Sequence, residues 1–436
     1  MFKNGLLKQI SIILVGCNLI FGQIVGEMNS PDFIKSIIFK SKTETSQRPI
    51  VTLGETFEIS FDDLNADERN YYYRIKYFNY DWTPSGLFQT EFIKGFDNIR
   101  IENYRTSFNT LQPYTHYKLK LPNDKTQFLI SGNYILEIYN EEDIMVFSRK
   151  FLIYEDKVNI GAAIYRSRDL SFYNTHQSVQ FYISPQDGEF LRDPENLVHT
   201  VILQNEHWNT AITGINPQYF NGNRLEYRYD EHTRFEGGNE YLFFDTKDIR
   251  ITGSNVGSVE LNRLYESYLN TNFLRRGYPY SFNSDINGDF FIRTVEGTED
   301  ESIEADYSWV HFSLSAPKFL EGQEVYIFGK YNNYNLSNEN KMYFNPSLEI
   351  YEGVMLLKEG IYNYKYVVKT PDKLLTNSLS DSHASTENRY LILVYYSEFG
   401  TRHDALIGFG ETSSFEICLL YTSPSPRDLS TSRMPS

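Results

Sequence analysis

The sequence predicts an all-β protein built from consecutive antiparallel β-sandwich domains of immunoglobulin-like type. Three observations lead to this class. Aromatic residues make up 16% of the 436 residues, and aromatic side chains favour strands. Many short segments alternate between apolar and polar residues, which is the period of a strand with one buried face. Turn signals rich in Gly, Asn, Asp and Pro separate these segments, as expected for antiparallel sandwiches rather than a parallel α/β fold.

The first predicted domain covers residues 28–156 and has the densest strand pattern in the chain. Residues 71–82 form an aromatic and β-branched run that suits a half-buried sheet surface. Residues 114–121 alternate strictly, which predicts a strand with one solvated face. Its apolar positions are Tyr117, Leu119 and Leu121, and its polar positions are His116, Lys118 and Lys120. Residues 135–139 are predicted to pair with residues 147–155 across a short turn.

Three long phrases in this domain carry a family resemblance: NYDWTPS at 79–85, SFNTLQPYTHYKLKLPN at 107–123 and ISGNYILEIY at 130–139. They resemble the type IX secretion system plug protein family of Bacteroidota, and the similarity continues to about Phe409. The resemblance implies a protein without catalytic activity or cofactor that binds and seals the periplasmic end of the outer-membrane translocon barrel. That barrel would be its partner.

The second predicted domain covers residues 157–300 and consists of short strands separated by turns. The strands are expected at 177–185, 199–208, 224–235 and 241–246, with turns at 186–188, 221–223 and 236–238. Residues 259–274 indicate a short helix. The DINGD segment at 285–289 lacks the distal Glu and the full ligand series of an EF-hand, so we expect a plain turn and no metal site.

The third predicted domain covers residues 306–396. Its segments 324–335 and 341–368 resemble early-set immunoglobulin-like domains related to glycogen-binding modules, and the resemblance places Tyr334 where those modules carry a sugar-stacking tryptophan. Tyr362, Tyr364 and Tyr366 share one face of a predicted strand, where they serve either as core residues or as a ligand platform. Together with Trp82, these four tyrosines are the candidate interface or ligand residues.

The two ends of the chain differ in composition from the predicted domains. Residues 1–22 have a charged start, an apolar stretch and a small residue before Gln23, which predicts an export signal peptide. A competing interpretation is that LVGC at 14–17 is a lipobox, with Cys17 acylated. Residues 397–416 form a C-terminal segment, and residues 417–436 resemble translated sequencing-adapter read-through. These features predict a periplasmic protein associated with the outer membrane, through its partner or through a lipid anchor.

Composition and motifs limit the function classes. The formal net charge of −16 argues against nucleic acid as a partner, because phosphate binding needs a basic surface. No nucleophile elbow, H-E-x-x-H helix, P-loop or dinucleotide fingerprint is present, so we predict no catalytic residues and no enzyme activity. The alternative function is an exported carbohydrate-binding protein or a polysaccharide-acting enzyme, suggested by the third domain and the acidic, aromatic composition.

Overall fold

The computed structural model describes residues 26–41, 47–187, 189–295, 300–319 and 321–417. Strands account for 47% of the residues and helices for 6%, and most sheets are antiparallel, which confirms the predicted all-β class. The predicted signal peptide, Cys17 and the segment from residue 418 onward lie outside the described residues. Within the ranges given above, no helix has the length and apolar character needed to cross a membrane.

The strands follow one another along the chain with few helical turns between them. The first eleven are β1 (Ile34–Ser41), β2 (Ile50–Thr52), β3 (Phe57–Asp63), β4 (Tyr72–Phe78), β5 (Ile93–Gly95), β6 (Ile99–Arg100), β7 (Asn103–Thr106), β8 (Thr115–Leu121), β9 (Thr126–Phe128), β10 (Gly132–Tyr139) and β11 (Met145–Tyr154). The next twelve are β12 (Val158–Arg166), β13 (His176–Pro185), β14 (Val198–Gln204), β15 (Ile212–Thr213), β16 (Tyr219–Asn221), β17 (Arg224–Tyr227), β18 (Arg234–Glu236), β19 (Leu242–Asp245), β20 (Val256–Leu261), β21 (Tyr265–Leu269), β22 (Asn272–Phe273) and β23 (Phe290–Ile292). The remaining strands are β24 (Tyr307–Ser315), β25 (Glu324–Phe328), β26 (Lys341–Asn345), β27 (Ile350–Lys358), β28 (Gly360–Lys369), β29 (Leu374–Leu375), β30 (Arg389–Tyr396) and β31 (Ala405–Ser413). Short α-helices are α1 (Gln89–Phe92), α2 (Pro194–Leu197) and α3 (Glu301–Glu304), and 3-10 turns lie at Trp208–Thr210, Glu231–Thr233, Lys330–Asn332 and Ser414–Glu416.

The first unit, β1 to β11, is a sandwich of two sheets with an additional strand pair, β5 and β9. One sheet has the order β1-β3-β8-β7 and the other β2-β11-β10-β4-β6, and the predicted pairing of β10 with β11 is observed. Apolar residues from both sheets form one buried cluster, in which Phe61 of β3 stacks on Tyr117 of β8. The prediction that the other face of β8 is solvated is wrong at His116, which is buried. Lys358 and Tyr307 of the third unit cover this part of the sheet. His116 therefore forms a hydrogen bond with Asp62 of the neighbouring strand and none with solvent water.

The second unit combines β12 to β18 with the last two strands of the chain. One sheet runs β12-β13-β17-β16 with β18 also paired to β13, and the other runs β15-β14-β30-β31. Strand β30 pairs with β14 along its whole length, from Val198 opposite Tyr396 to Gln204 opposite Tyr390. A shared apolar cluster lies between these two sheets.

The third unit, β19 to β29, is a single eleven-stranded sheet that curls around its own core. Its main path is β19-β28-β25-β26-β27-β24-β21-β20. Phe312 of β24 packs edge-on against Tyr364 of β28 with ring centres 5.1 Å apart, so the two halves of the sheet face each other. Strand pairing therefore crosses the predicted boundaries at residues 300 and 396, because β19 to β23 join the third unit and β30 and β31 join the second.

Two local predictions in residues 259–292 have different outcomes. The predicted helix at 259–274 is wrong: this segment is the hairpin β20–β21 followed by β22, and its backbone pairs with β24. The predicted turn at 285–289 is observed, with Asn287 and Gly288 at φ of 55° and 84°. It does not close a hairpin, because β23 pairs with β28 instead. In the part of the chain that the structure describes, no three His, Cys, Asp or Glu side chains are grouped as metal ligands.

A buried charge pair joins the first unit to the third. The Lys358 ammonium group lies 2.7 Å from Asp62 Oδ2, and the Tyr307 hydroxyl donates to the same oxygen at 2.6 Å. Both charged side chains are essentially inaccessible to solvent. Burial alone would raise the pKa of Asp62, but the Lys358 ammonium group and the hydrogen bond with His116 lower it overall.

A second ionic network lies where all three units meet. Glu206 of the second unit accepts a 2.9 Å hydrogen bond from the Lys330 ammonium group of the third. Arg48, from the first unit, reaches Glu206 at 3.6 Å and Glu411 at 2.9 Å. Because buried charges without partners are expensive, these contacts favour one fixed arrangement of the units.

Candidate docking surface

The three tyrosines predicted as a shared face of one strand do share it, but that face points into the core. Tyr362, Tyr364 and Tyr366 are all buried within the third unit. The Tyr362 ring stacks on Phe244, and the Tyr364 and Tyr366 hydroxyls both donate to Asn272 Oδ1. These residues are therefore core residues, and the structure corrects the interpretation of them as a ligand platform.

Tyr334 and Trp82 also contact aromatic residues of another unit. The Tyr334 ring lies 3.9 Å from the ring of His207 and 5.2 Å from that of Phe328, centre to centre. Trp82 is buried, packs edge-on against Trp208, and carries the Lys150 ammonium group 4.2 Å above its ring. Trp82 is buried and Tyr334 is half-buried, and each packs against an aromatic residue of the second unit, so packing between units explains both.

A different set of apolar residues is exposed at one end of the molecule. We call it the apolar end face and define it by five residues: Phe88, Leu129, Phe190, Phe220 and Phe399. Phe399 is 92% exposed and Phe88 is 73% exposed. Single exposed apolar residues are ordinary, but several from separate segments that lie together indicate an interaction site.

Helix α1 and the strand that follows it hold the first two of these residues in place. The Glu91 carboxylate accepts a 2.8 Å hydrogen bond from the Phe88 backbone N–H and so caps the single helical turn. The Leu129 backbone N–H donates to the Phe92 carbonyl at 2.9 Å, which ties Leu129 to the same turn. The exposed Phe88 side chain therefore lies at the start of a helical turn that these two hydrogen bonds hold in place.

The loop at 397–404 brings Phe399 to the same end. Arg402 pairs with Glu91 of helix α1, and the Tyr77 hydroxyl donates to the Asp404 carbonyl at 2.9 Å. Gly400 has a φ of 91°, a conformation that lets the chain reverse directly after Phe399. The loop is thus fixed to the first unit although its flanking strands, β30 and β31, belong to the second.

Two neighbouring depressions connect the remaining residues of the apolar end face. Leu129, Phe190 and the loop residue Glu398 line one cavity of about 270 Å³. Phe190 also lines the next cleft, of about 410 Å³, together with Phe220. The face therefore extends from the first unit across the 397–404 loop to the second unit.

Charged residues surround the apolar end face. Glu91, Glu189, Glu195 and Arg402 lie on segments that border it. A hydrogen bond from the Phe88 N–H and the contact with Arg402 lower the pKa of Glu91, which keeps it ionised at neutral pH. An apolar centre with a charged rim is the usual composition of a protein-binding surface.

A second exposed surface is the outer face of the third-unit sheet. The side chains there come from adjacent strands: Tyr268 of β21, Trp309 and His311 of β24, Val354 of β27 and Tyr343 of β26. Trp309 is 40% exposed, and His311 stacks on Tyr268 with ring centres 4.2 Å apart. This face is more polar than the apolar end face, since Glu266 and Glu352 lie among the apolar residues.

Sequence reasoning missed the apolar end face because its residues are far apart in the chain. A local signal was nevertheless present. Each of its four phenylalanines lies within two residues of a glycine, at 86, 188, 222 and 400. A large apolar side chain beside a turn glycine is placed at a loop tip, where little of the chain can cover it.

Comparison with known proteins gives positive findings of two kinds, a family model and solved structures. The model of the type 9 secretion system plug protein 1st domain matches residues 34–155, which span β1 to β11 and contain Phe88 and Leu129. The crystal structure of a hypothetical protein from Parabacteroides merdae ATCC 43184 has a TM-score of 0.83 and 32% sequence identity, covering 89% of this chain and 98% of that chain. No curated protein matches the chain.

Proposed function

This chain belongs to the type IX secretion system plug protein family, and from that membership we propose that it binds and closes the periplasmic end of the outer-membrane translocon barrel. The match of the first unit to the family's first domain carries the proposal. A channel wide enough for folded cargo would leak small molecules when idle, so a detachable cover on its periplasmic side is needed. We propose that the chain acts there as a periplasmic, non-enzymatic protein.

The structure has the mechanical property that such a cover requires. The Asp62–Lys358 pair and the Glu206 network hold the three units together through buried charges. These pairs form only in this arrangement of the units, so together they select one relative position of the three units. A cover built this way remains rigid when the cell envelope places a load on it.

The apolar end face is the surface we assign to the translocon. A phenylalanine side chain can bury about 150–250 Å², so the exposed parts of its four phenylalanines supply more than half of the roughly 800 Å² per partner in a standard interface. Contributions from two units give the face a breadth that a single loop would not have. Its charged rim is compatible with reversible release, because such interfaces are more polar than permanent ones.

The test begins with deletion of the gene, measuring vancomycin entry through the outer membrane and recovery of the barrel in a pull-down. Wild-type protein restores the barrier and recovers the barrel. We expect the variant Phe88→Asp/Phe399→Asp to do neither, because each aspartate replaces an apolar contact of the interface by a charge that would be desolvated on binding. Its thermal unfolding should be unchanged, since both side chains are exposed.

The matched control is Leu170→Asp. Leu170 is 89% exposed and lies in the loop between β12 and β13. Phe190 lies at the other end of this hairpin. A nine-residue strand separates the two ends by roughly 30 Å. This control should behave as wild type. Unchanged permeability after deletion, together with no recovered barrel, would defeat the plug assignment. If the Phe88→Asp/Phe399→Asp variant restores the barrier and recovers the barrel, the apolar end face is not the docking site. The outer sheet face around Trp309 would then be the next candidate.

A further inference from the structure

The third-unit sheet ends at strand β20 (Val256–Leu261), which has a neighbouring strand on one side only. This neighbour is β21, and their antiparallel ladder is irregular at Gly257 and regular over residues 258–261. In such a ladder the N–H and C=O groups of alternate residues face opposite sides of the strand. Among the described residues, the one other backbone hydrogen bond of β20 joins the Val256 N–H to the Gly253 carbonyl. The outward-facing groups of residues 258–261 therefore have no backbone partner.

This open edge is accessible to another molecule. Gly257 is exposed, and because glycine has no side chain, the surface exposed there is backbone. Leu261 is 58% exposed although it lies on the core side of the sheet, two residues after Val259, which packs against the buried cluster. A further strand beside β20 would cover Leu261 and pair the free backbone groups. An exposed, unpaired strand edge of this kind is a template for another chain.

The unpaired backbone groups determine the class of partner. An extended polypeptide presents N–H and C=O groups at the spacing of a strand, so it can satisfy several of them together. Because Val259 and Leu261 lie on the core side of the sheet, the added strand needs apolar side chains on that side. Side chains alternate between the two faces of a strand, so every second residue of the partner segment is apolar.

Two carboxylates determine the residues on the other face of the added strand. Glu260 is exposed and lies opposite Glu266 of β21 on the outer face of the sheet. Hydrogen bonds from Asn262 and Tyr268 lower the pKa of Glu266, so it is ionised at neutral pH. A lysine or arginine at alternate positions of the added strand would lie next to this negative pair, which favours its binding.

The same carboxylates disfavour a second copy of the chain as the occupant. Antiparallel pairing of β20 with β20 of another copy would continue the sheet and bring Glu260 and Glu266 of both copies onto one face. Like charges at neighbouring positions of a sheet are destabilising. The formal net charge of −16 on each chain adds to this repulsion.

We infer that β20 is a docking edge for an extended segment of another protein in which apolar residues alternate with basic ones. The segment joins the third-unit sheet as an additional strand, with its apolar side chains over Leu261 and its basic side chains beside Glu260. This site lies in the third unit, whereas the apolar end face belongs to the first and second units. It therefore adds a second partner-binding surface to the one assigned to the translocon.

The probe is an N-acetylated, C-amidated peptide in which lysine and valine alternate over six residues, the length of β20. It is titrated into the purified full chain at low salt and followed by calorimetry. We expect saturable binding with a Kd of about 0.1–1 mM, and hydrogen exchange of residues 256–261 should slow in the complex. The same peptide N-methylated on every backbone amide keeps its charges but has no backbone donors, so it should not bind.

A charge reversal on the edge tests the predicted position of the peptide. Glu260→Lys should weaken binding of the lysine–valine peptide about tenfold, because it removes an attraction and adds a repulsion. It should also allow binding of the corresponding glutamate–valine peptide. Glu352→Lys is the matched control: it makes the same change at an exposed position of the same sheet face, in β27, three strands from β20. This control should change the Kd by less than about twofold.

Three results of the titrations would overturn the inference. One is the absence of saturable binding of the lysine–valine peptide up to about 5 mM. Another is equal binding of the N-methylated peptide, which would show that charge alone drives the contact. The third is an equal effect of Glu260→Lys and Glu352→Lys, which would place the peptide elsewhere on the molecule.

Sedimentation of the free protein tests the competing occupant. We expect a monomer, because the carboxylates on β20 and β21 oppose self-pairing. A dimer in which hydrogen exchange of residues 256–261 is slowed would assign the edge to a second copy of the chain and overturn the choice of partner. These assays use no translocon component, so their outcome is independent of the plug proposal.

Discussion

Replacing Lys358 by methionine should strongly destabilise the protein although no apolar packing is lost. Lys358 is the last residue of β27, and its ammonium group is the cation paired with Asp62 across the boundary between the first and third units. Methionine has a similar length and a flexible apolar side chain that can fill the same space. The change removes the ammonium group, with its contact over the Tyr114 ring and its hydrogen bond to the Ser302 carbonyl.

The expected magnitude follows from what Asp62 retains. Removing one partner of a buried ion pair costs about 3–5 kcal/mol, because the other charge stays buried. Asp62 keeps the Tyr307 hydroxyl at 2.6 Å and the His116 ring as partners, so we expect a loss at the lower end, about 3 kcal/mol at pH 7.

The loss should depend on pH in a defined direction. In the wild type the pKa of Asp62 is lowered, so its contribution is present above the ordinary value of 3.8 and disappears as the pH falls further. Without Lys358 burial dominates, and we expect the Asp62 pKa to rise above that value. Its carboxyl group can then take up a proton in mild acid, so the variant should lose less stability at pH 5 than at pH 8.

The assay is urea unfolding followed by intrinsic fluorescence, with Asp62→Asn and the double variant completing a mutant cycle. The coupling energy should be about 2 kcal/mol. Lys365→Met is the control, since Lys365 is a half-buried lysine with no carboxylate of the described residues at ion-pair distance, and it should lose less than about 1 kcal/mol. A loss below about 1 kcal/mol for Lys358→Met, or a coupling within about 0.5 kcal/mol of zero, would refute the reasoning.

Two further predictions concern stability elsewhere in the fold. Burial raises the pKa of Glu240 to about 7, so its stabilising contribution is present below pH 4.5 and is lost as the pH rises through 7. Glu240→Gln should therefore raise the free energy of unfolding by about 2 kcal/mol at pH 8 and leave it unchanged at pH 4; equal effects at both values would contradict this. Gly95→Ala should lose at least about 2 kcal/mol, because Gly95 has a φ of 140° and a Cβ would lie 1.9 Å from the Lys125 carbonyl oxygen. Gly54→Ala is the control: Gly54 has a φ of 90° with open space around it, so this variant should lose only about 1 kcal/mol. A comparable loss for Gly95→Ala and Gly54→Ala would show that the contact with the Lys125 carbonyl is relieved in the variant.

Local patterns in the sequence predicted most individual strands. The alternation at 114–121 corresponds to β8, and the pair at 135–139 and 147–155 corresponds to β10 and β11. These predictions succeed because a two-residue period and a short turn are properties of neighbouring residues. The helix predicted at 259–274 failed because its apolar residues fit either period, and only pairing with β24 selected the extended form.

The candidate residues were harder to interpret for a related reason. Tyr362, Tyr364 and Tyr366 occur at strand spacing, which shows that they share a face but not which face the rest of the chain covers. The opposite half of the same sheet covers it, through Phe312 and its neighbours. The exposed Phe399 was not singled out at all, since its exposure depends on segments hundreds of residues away.

The sequence by itself determined the all-β class, the family and the positions of most strands and turns, because each rests on residues close together in the chain. The tertiary structure alone decided which strands distant in the chain share a sheet, such as β14 with β30 and β19 with β28. It also decided which charges are buried between units and which aromatic residues remain exposed. These properties depend on contacts between segments that are distant in the chain, because the burial of a side chain is set by every segment that packs against it.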